Sequence, residues 1–154
     1  MKPEKIISGG QTGADRAALD FAFENGIACG GWCPKGRLAE DGPIAASYPL
    51  LETESADPAE RTRMNVEIAD ATLIFSPAAG EPSTGTDLTL QICQDSGKPH
   101  VVLAAFPNLE TDAALAIAFL RSHVPRSLNV AGKRESQLPG IYAYVRAVLA
   151  LAMP

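Results

Sequence analysis

The sequence predicts an α/β protein with an open, mostly parallel sheet of five strands and helices on both faces. Two observations predict this fold. Short apolar segments alternate with longer segments of helical periodicity from end to end, and such strand–helix units make right-handed crossovers between parallel strands. The 154 residues, 46% of them hydrophobic and 20% charged, also suit one domain over residues 1–154 with a core of its own.

The predicted strands are short apolar runs that end in glycine or polar loop residues. They cover Lys5–Ser8, Ile27–Gly31, Ala71–Ser76, Pro99–Ala104 and Leu128–Val130. A loop rich in glycine, proline and charge runs from Trp32 to about Ser47, and we expect no secondary structure of its own there. Loops of that length are often functional. A second loop, rich in proline, glycine and serine, is predicted at Pro77–Gly85.

The predicted helices have apolar side chains at helical spacing, and some carry capping signals. They cover Ala14–Asn25, Pro58–Asp70, Thr86–Ser96, Thr111–His123 and Ile141–Met153. Asp57 is the expected N-cap of the second helix, ahead of Pro58. Gly26 and Gly97 follow the first and third helices as C-terminal stops.

Charge and hydropathy exclude two classes of partner. A net charge of −5 argues against a nucleic-acid binder, because such domains usually carry a basic surplus. An anion would therefore be bound locally, by backbone amides and a few cations. The longest apolar runs, such as Val101–Phe106, are only strand-sized, so no membrane span is predicted. The N-terminus lacks the apolar core of a signal peptide, and we expect a cytoplasmic protein.

The three cysteines do not form a disulfide framework, because their number is odd and the expected compartment is reducing. Cys29 and Cys33 could approach a metal. Two cysteines without a second pair or a nearby histidine make a poor zinc site, however. We favour partly buried thiols and predict no metal site.

The first unusual loop joins the first strand to the first helix and contains three glycines. Glycines there let backbone amides turn inward and let an anion approach without a Cβ in the way, and the helix N-terminus adds partial positive charge. The alternative is a tight turn with only a packing role. The predicted anion-binding residues of this loop are Gly9, Gly10, Gln11, Thr12, Gly13, Asp15 and Arg16.

The second unusual loop, from Gly80 to Asp87, also lies between a strand and a helix. Thr84 or Thr86 could cap the helix while its hydroxyl donates to a ligand. The alternative is an ordinary N-cap beside a flexible loop. Since both loops lie at the same edge of a parallel sheet, where ligands bind, this loop is predicted to contribute Thr84, Gly85, Thr86 and Asp87.

The third unusual loop reads WCPKGRLAEDG and is predicted to contribute Lys35, Gly36, Arg37 and Glu40. Lys35 and Arg37 could make charge-assisted contacts to a phosphate or another oxyanion. Glu40 and Asp41 could accept from hydroxyl or ring N–H groups, or hold the basic residues in place. The alternative, a solvated charged loop, has equal weight.

Weaker candidates lie elsewhere, and no nucleophile–base pair is visible. Arg61 and Asn65, one turn apart on a helix, could reach the cleft or could form a surface face. The loop Ala131–Ser136 could close the site or contact a neighbouring subunit. Neither histidine lies in a candidate loop. The residues favour binding over catalysis, and acid–base work would fall to Asp15, Glu40, Asp41 or Asp87.

Seven segments, in this order, are similar to those of the putative molybdenum carrier family. They read SGGQTGADRAALD, GWCPKGRLAEDG, YPLLET, RTRMNVEIADATLIF, STGTDLT, KPHVVL and NVAGKRES. The similarity runs from Ile6 to about Ala147. It implies a place in the wider Rossmann-like group of nucleotide-ligand-binding domains, which includes the lysine-decarboxylase-like phosphoribohydrolases.

The resemblance implies a homo-oligomer, with a tetramer as one possibility, that carries molybdenum cofactor or molybdate. The cofactor is a pterin dithiolene with a phosphate and an oxomolybdenum centre. Lys35 and Arg37 would then supply charge, and Glu40 would face pterin N–H donors. The anionic groups would be cradled by Gly9, Gly10, Thr12, Gly13, Gly85 and Thr86.

Two other functions stay open. The related phosphoribohydrolases carry a loop of the form P-G-G-x-G-T-x-x-E, whose glutamate takes part in N-glycosidic cleavage. Aligning Gly85–Thr86 with that loop puts Thr89 at the glutamate position, which weakens the hydrolase hypothesis. A nucleotide-processing enzyme using Asp87 or Glu40 is one alternative. A nucleotide sensor that signals through an oligomer interface is another.

Overall fold

The computed structural model describes residues 1–77, 84–106 and 108–154, and for residues 84–87 it describes the backbone alone. Its strands are β1 Lys5–Ile7, β2 Ala28–Gly30, β3 Trp32–Cys33, β4 Leu38–Ala39, β5 Gly42–Pro43, β6 Leu51–Glu52, β7 Ala71–Phe75, β8 His100–Leu103 and β9 Ser127–Gly132. Its helices are α1 Ala14–Glu24, α2 Pro58–Ile68, α3 Thr84–Ser96, α4 Leu109–His123 and α5 Ile141–Ala152.

The predicted α/β fold with a five-stranded parallel sheet is confirmed. All five predicted strands and all five predicted helices are present. Helix α3 begins two residues earlier than expected, at Thr84. Helix α4 also begins earlier, at Leu109, because the side chain of Asn108 accepts from the amide of Thr111 at 2.9 Å and caps its first turn.

The expectation of a loop without secondary structure from Trp32 to Ser47 is wrong. Strand β3 pairs with β6, and β4 and β5 form a two-residue hairpin whose turn is Glu40–Asp41. Strands of two residues show no periodicity, so the sequence gives no signal for them. The hairpin rests on a small apolar cluster of Leu19, Cys33, Ile44 and Leu50.

The strand that comes last in the chain lies in the middle of the sheet. The order is β2-β1-β9-β7-β8, and every neighbouring pair is parallel. Counting the strands from β9 turns this into 3-2-1-4-5, the order of a doubly wound Rossmann sheet. The direction of winding therefore reverses between β9 and β7, and Gly132 pairs with Phe75 where these two strands end.

The helices cover both faces of the sheet, as expected. Helix α5 packs against α1 and α4, whereas α2 packs against α3. In a chain that began with β9, a crossover helix would connect β9 to β1. Helix α5 lies where that crossover helix would lie. Consistent with this, Met1 and Pro154 line one small pocket together with side chains of α4 and α5.

The core lies between the sheet and these helices. All five residues of β7 are buried, and Leu128 and Val130 of β9 are fully inaccessible. Burying such side chains contributes roughly 1.5–3 kcal/mol each and holds the strand ends in fixed positions. No helix in the described part of the chain is long and apolar enough to cross a membrane.

Candidate ligand-binding site

A cleft opens at the carboxyl ends of the central strands, where the winding of the sheet reverses. The enclosed part of the cleft is small, about 70 Å³, and the space that includes its open mouth is about 570 Å³. Ligands of doubly wound sheets bind at this place. The cleft is lined by Gly9, Gln11, Asp15, Arg61, Thr62, Asn65, Thr89, residues 129–134 and Gln137.

The charged side chains of the cleft are mostly basic. Arg61, Lys133 and Arg134 line it, against the single carboxylate of Asp15 among the described lining residues. The side chain of Arg61 is 12% exposed and Lys133 is 7% exposed, so their charges lie where water screens them little. Such a surplus in a recess attracts anions.

Asp15 and Arg61 form a loose ion pair inside the cleft. A carboxylate oxygen of Asp15 lies 3.8 Å from Nη1 of Arg61 and accepts from the amide of Gln11 at 3.3 Å. Burial raises the pKa of Asp15 above its ordinary value, and Arg61 opposes this only in part. Arg61 also donates to the carbonyl oxygen of Gly9 at 3.1 Å, and a Cβ on Gly9 would lie 2.7 Å from that same nitrogen.

The glycine-rich first loop is packed against the loop that follows β9. The amide of Ala14 donates to the carbonyl oxygen of Lys133 at 3.1 Å. Gly13, at φ +75°, allows this approach, because a Cβ there would strike that oxygen and would lie 2.8 Å from the amide nitrogen of Glu135. The glycine therefore serves backbone packing.

Several amides of the first loop donate within the loop itself. The amide of Gly10 donates to the hydroxyl of Ser8 at 3.2 Å, and that of Thr12 donates to the side-chain oxygen of Gln11 at 3.1 Å. Of the residues predicted here, Gly9, Gln11 and Asp15 line the cleft. Gly10, Thr12, Gly13 and Arg16 lie beside it, and ligand contact by them stays a prediction.

The basic residues of the third loop are not brought to the cleft. The Arg37 guanidinium donates to the carbonyl oxygens of Ala45, Tyr48 and Leu50 at 2.9–3.1 Å and so holds the segment after the hairpin. The amide of Gly36 donates to the Glu52 carboxylate at 2.7 Å. Lys35 is exposed. Their predicted contacts to a ligand would need a ligand that reaches beyond the cleft.

The tip of the β4–β5 hairpin is bound to the first loop and to the loop after β9. The Glu40 carboxylate accepts from the hydroxyl of Thr12 and from the hydroxyl and amide of Ser136. These hydrogen bonds, chiefly that of the Ser136 hydroxyl, lower the pKa of Glu40. Asp41 accepts two hydrogen bonds from Arg16, at 2.9 and 3.2 Å.

The sequence profile of the circularly permutated YpsA SLOG family (cpYpsA) matches residues 6–153. The chain belongs to this family. Its sheet order, which becomes 3-2-1-4-5 when counted from β9, agrees with a permuted Rossmann fold.

A solved structure with a similar sequence has the same fold. The chain is 41% identical to the putative molybdenum carrier protein from Syntrophus aciditrophicus SB, with a TM-score of 0.93 over 99% of this chain and 96% of that one. The resemblance found in the sequence is thus confirmed. No curated protein matches the chain.

In this cpYpsA chain the second loop lies largely outside the described residues. Residues 80–83 belong to the part that is not described, and Thr84, Gly85, Thr86 and Asp87 form the first turn of α3, described in backbone alone. Thr89 follows one turn after Gly85, is 3% exposed and lines the cleft. Helix α3 therefore reaches the cleft through Thr89, and ligand contact by residues 84–87 stays a prediction.

The cleft also contains residues that were weak candidates in the sequence or were not predicted at all. Arg61 and Asn65, both weaker candidates, line the cleft. Asn65 is 3% exposed; its side chain accepts from the amide of Trp32 at 2.8 Å and donates to the Trp32 carbonyl oxygen at 3.0 Å. It fixes the chain beside the cleft.

Asn129 and Gln137 line the cleft without having been predicted. Asn129 sits in the centre of β9, opposite Ile7 of β1 and Thr72 of β7, and donates to the Thr72 hydroxyl at 3.4 Å. The sequence did contain a signal for Asn129, a polar amide in the middle of an apolar strand. Burying such a group costs free energy unless it finds a hydrogen-bond partner, so its presence there indicates a structural or functional role. Gln137 gives no such signal.

Proposed function

We propose that this chain is a non-catalytic binding protein for an anionic, phosphate-bearing ligand, with molybdenum cofactor or molybdate as the first candidate. The observation that carries the proposal is the basic cleft at the point where the winding reverses. There Arg61, Lys133 and Arg134 face a single described carboxylate, that of Asp15. Phosphate and molybdate are both oxyanions that such a charge arrangement attracts.

The chemistry of the lining suits a ligand with both an anionic group and a heterocycle. Gln11, Asn129 and Gln137 carry amides, which offer donors and acceptors together, as the edge of a pterin or purine ring requires. The relative at 41% identity is called a putative molybdenum carrier protein, and this supports a molybdenum-containing ligand over other phosphate esters.

Thr89 argues against glycosidic hydrolysis in this cleft. When Gly85–Thr86 is aligned with the phosphoribohydrolase loop, Thr89 takes the position of the glutamate, and Thr89 lines the cleft. A hydroxyl cannot replace a carboxylate in general acid–base work near neutral pH, because its proton is held far too tightly.

One observation favours an enzyme that acts on nucleotides instead. Asp15 is a buried carboxyl with a raised pKa in the wall of the cleft, and such groups are candidates for acid–base catalysis. Turnover of nucleoside monophosphates that is abolished in Asp15→Asn would establish this alternative. Unchanged ligand binding without turnover by the wild type would remove it.

The proposal extends to assembly and location. A carrier of this kind would be a cytoplasmic homo-oligomer, with the tetramer as one form. It would have no nucleic-acid partner, which agrees with its net charge of −5. Lys35, Gly36, Arg37 and Glu40 remain proposed contacts for the parts of a large ligand outside the cleft.

A thermal-shift series tests the proposal, using molybdate, tungstate, phosphate, common mononucleotides and molybdenum cofactor. A ligand at about 100 times its Kd should stabilise the fold by roughly 2.7 kcal/mol, a rise in Tm of several degrees. Arg61→Gln should abolish most of that rise. Arg63→Gln is the matched control, because Arg63 is exposed on the same helix and does not line the cleft.

The ligands that respond decide between the functions. A rise confined to the cofactor or the metal oxyanions supports the carrier. A rise confined to nucleotides, or an equal loss in Arg63→Gln, contradicts it.

A further inference from the structure

The Glu40 carboxylate sits in a set of donors that suits an oxyanion. One backbone N–H and one hydroxyl of Ser136 and the hydroxyl of Thr12 all point at it. Amide and hydroxyl donors converging from two separate loops are the usual way in which proteins bind phosphate and similar anions. A side-chain carboxylate is itself such an oxyanion, supplied here by the hairpin.

This set of donors is continuous with the cleft. Thr12 and Ser136 lie next in sequence to Gln11 and Gln137, which line the cleft. Arg134 links the two places by its charge. After the Ser136 and Thr12 hydrogen bonds, it helps to lower the pKa of Glu40, and it also opposes the burial that raises the pKa of Asp15. An anion in the cleft and the Glu40 carboxylate would therefore compete for one cation.

The hairpin tip is held by contacts that can break without unfolding the domain. Glu40 is exposed, and the side chain of Asp41 is 50% exposed in its ion pair with Arg16. Exposed polar contacts of this kind contribute little stability. The base of the hairpin is firmer, because Ile44 is 4% exposed in its apolar cluster and Arg37 binds three carbonyl oxygens. The tip can therefore open while the base stays in place.

We propose that the Glu40 carboxylate occupies an oxyanion subsite built by Thr12 and Ser136, and that the phosphate or molybdate group of a ligand displaces it and releases the hairpin tip. Glu40 then competes with the anionic group of the ligand for these donors, and it can contact ring N–H groups of the ligand only after the hairpin tip is released. The inference rests on the proposed function only for the identity of the ligand. Ligand binding and opening of the hairpin are then coupled. The bound ligand therefore changes the surface around the hairpin tip that a protein receiving the ligand would contact.

Inorganic phosphate is the first probe, titrated by calorimetry into the wild type and Glu40→Ala. We expect Glu40→Ala to bind phosphate about tenfold more tightly, because a competing like charge has gone. Adding Ser136→Ala or Thr12→Val to Glu40→Ala should remove most of the gain. Two such second changes keep the test valid if one of them unfolds the protein.

Asp41→Ala is the control for loosening of the hairpin. It breaks the contact of the same tip with Arg16 but leaves Glu40 on its donors, so phosphate affinity should stay within about twofold of the wild type. An equal gain in both variants would mean that a looser tip, not a vacated subsite, admits the anion. That result, or no gain in Glu40→Ala, overturns the proposal.

Hydrogen exchange of the hairpin amides, residues 38–42, gives a readout independent of affinity. In the wild type, saturating phosphate should increase their exchange. Unchanged exchange at saturation also overturns the proposal. The proposed function is tested separately. If Glu40→Ala gains phosphate affinity but molybdenum cofactor does not raise the Tm of the wild type, the oxyanion subsite is supported and the carrier function is rejected.

Discussion

The amide of Ala14 donates to the carbonyl oxygen of Lys133 at 3.1 Å, which joins the start of the first helix to the loop that leaves the central strand. This contact needs a residue without a Cβ immediately before Ala14, and Gly13 supplies it. The two loops are therefore packed as one structural unit, although 118 residues lie between Ala14 and Lys133.

The first prediction concerns that glycine. Gly13→Ala should lower the free energy of unfolding by about 3 kcal/mol or more, because a positive φ and a backbone clash act together. Gly26→Ala is the matched control. Gly26 has φ +65° but no atom within 4 Å of its Cβ position, so only the conformational cost of about 1–2 kcal/mol should appear. Urea unfolding of both variants measures the difference, and equal losses would refute the role of the Lys133 contact.

The second prediction concerns the buried carboxyl of the cleft. Asp15→Asn should be more stable than the wild type near pH 7, by about 1 kcal/mol, because it removes a charge that burial disfavours. The pKa of Asp15 is raised in the folded state. Its favourable contribution is therefore complete below the unfolded pKa and is lost as pH rises through the folded pKa. The advantage of Asp15→Asn should thus grow between pH 4 and pH 7 in urea unfolding.

Asp70 provides a control of opposite sign. Its carboxylate accepts from the amides of Arg126 and Ser127 at 2.9 and 3.0 Å, and the Ser127 amide is the main cause of its lowered pKa. That contribution is present above the unfolded pKa and is lost as pH falls through the folded one. Asp70→Asn should therefore be less stable than the wild type at pH 7, and the difference should shrink in acid. Parallel pH profiles for the two variants would contradict both assignments.

The third prediction concerns Asn65, whose side chain forms hydrogen bonds with the backbone amide and carbonyl of Trp32. Asn65→Ala should lose about 2–3 kcal/mol, since two largely buried hydrogen bonds disappear and leave backbone groups without partners. Trp32 is the sole tryptophan of the sequence, so its emission should shift as the backbone beside it is released. Asn25→Ala removes a single contact at the end of α1, to the carbonyl oxygen of Phe21, and should cost about 1 kcal/mol without that shift. Equal losses would mean that Asn65 does not position this segment.

The fold could be predicted because each main element carries a local signal. The run ATLIF is apolar throughout and becomes β7, and Asp57–Pro58 begins α2 as a cap followed by proline, with Asp57 accepting from the amide of Ala59 at 3.0 Å. The position of β9 between β1 and β7 has no such signal, because pairing depends on contacts more than 50 residues apart. The strands β4 and β5 were not predicted, because two residues are too few to show the alternating pattern of a strand.

The candidate site could be predicted where its residues lie in a glycine-rich loop, as with Gly9 and Gln11, or in the first turn of the helix after it, as with Asp15. Arg61 and Asn129 lie inside a helix and a strand, where a polar side chain on a surface and one in a cleft look alike in sequence. Because the winding of the sheet reverses between β9 and β7, both side chains are expected to lie at the cleft. The topology was the missing information.

The last prediction tests that topology directly. Since Met1 and Pro154 line one pocket, a flexible linker of about six residues, which spans about 13 Å on average, should join them without strain. Opening the joined chain between Val124, which is 56% exposed, and Pro125 places β9 first and gives the order 3-2-1-4-5. This permutant should fold cooperatively, lose at most about 2 kcal/mol, and keep the ligand response of the wild type.

A second permutant, opened between Leu73 and Ile74, is the control. Both residues are buried in β7, so two chain ends would have to lie in the core and no cooperative transition should be seen. If the first permutant also shows no cooperative transition, the connection from α4 into β9 is needed for folding. In that case the position of β9 would depend on the order in which the chain is joined, and not only on the packing of α5 against α1 and α4.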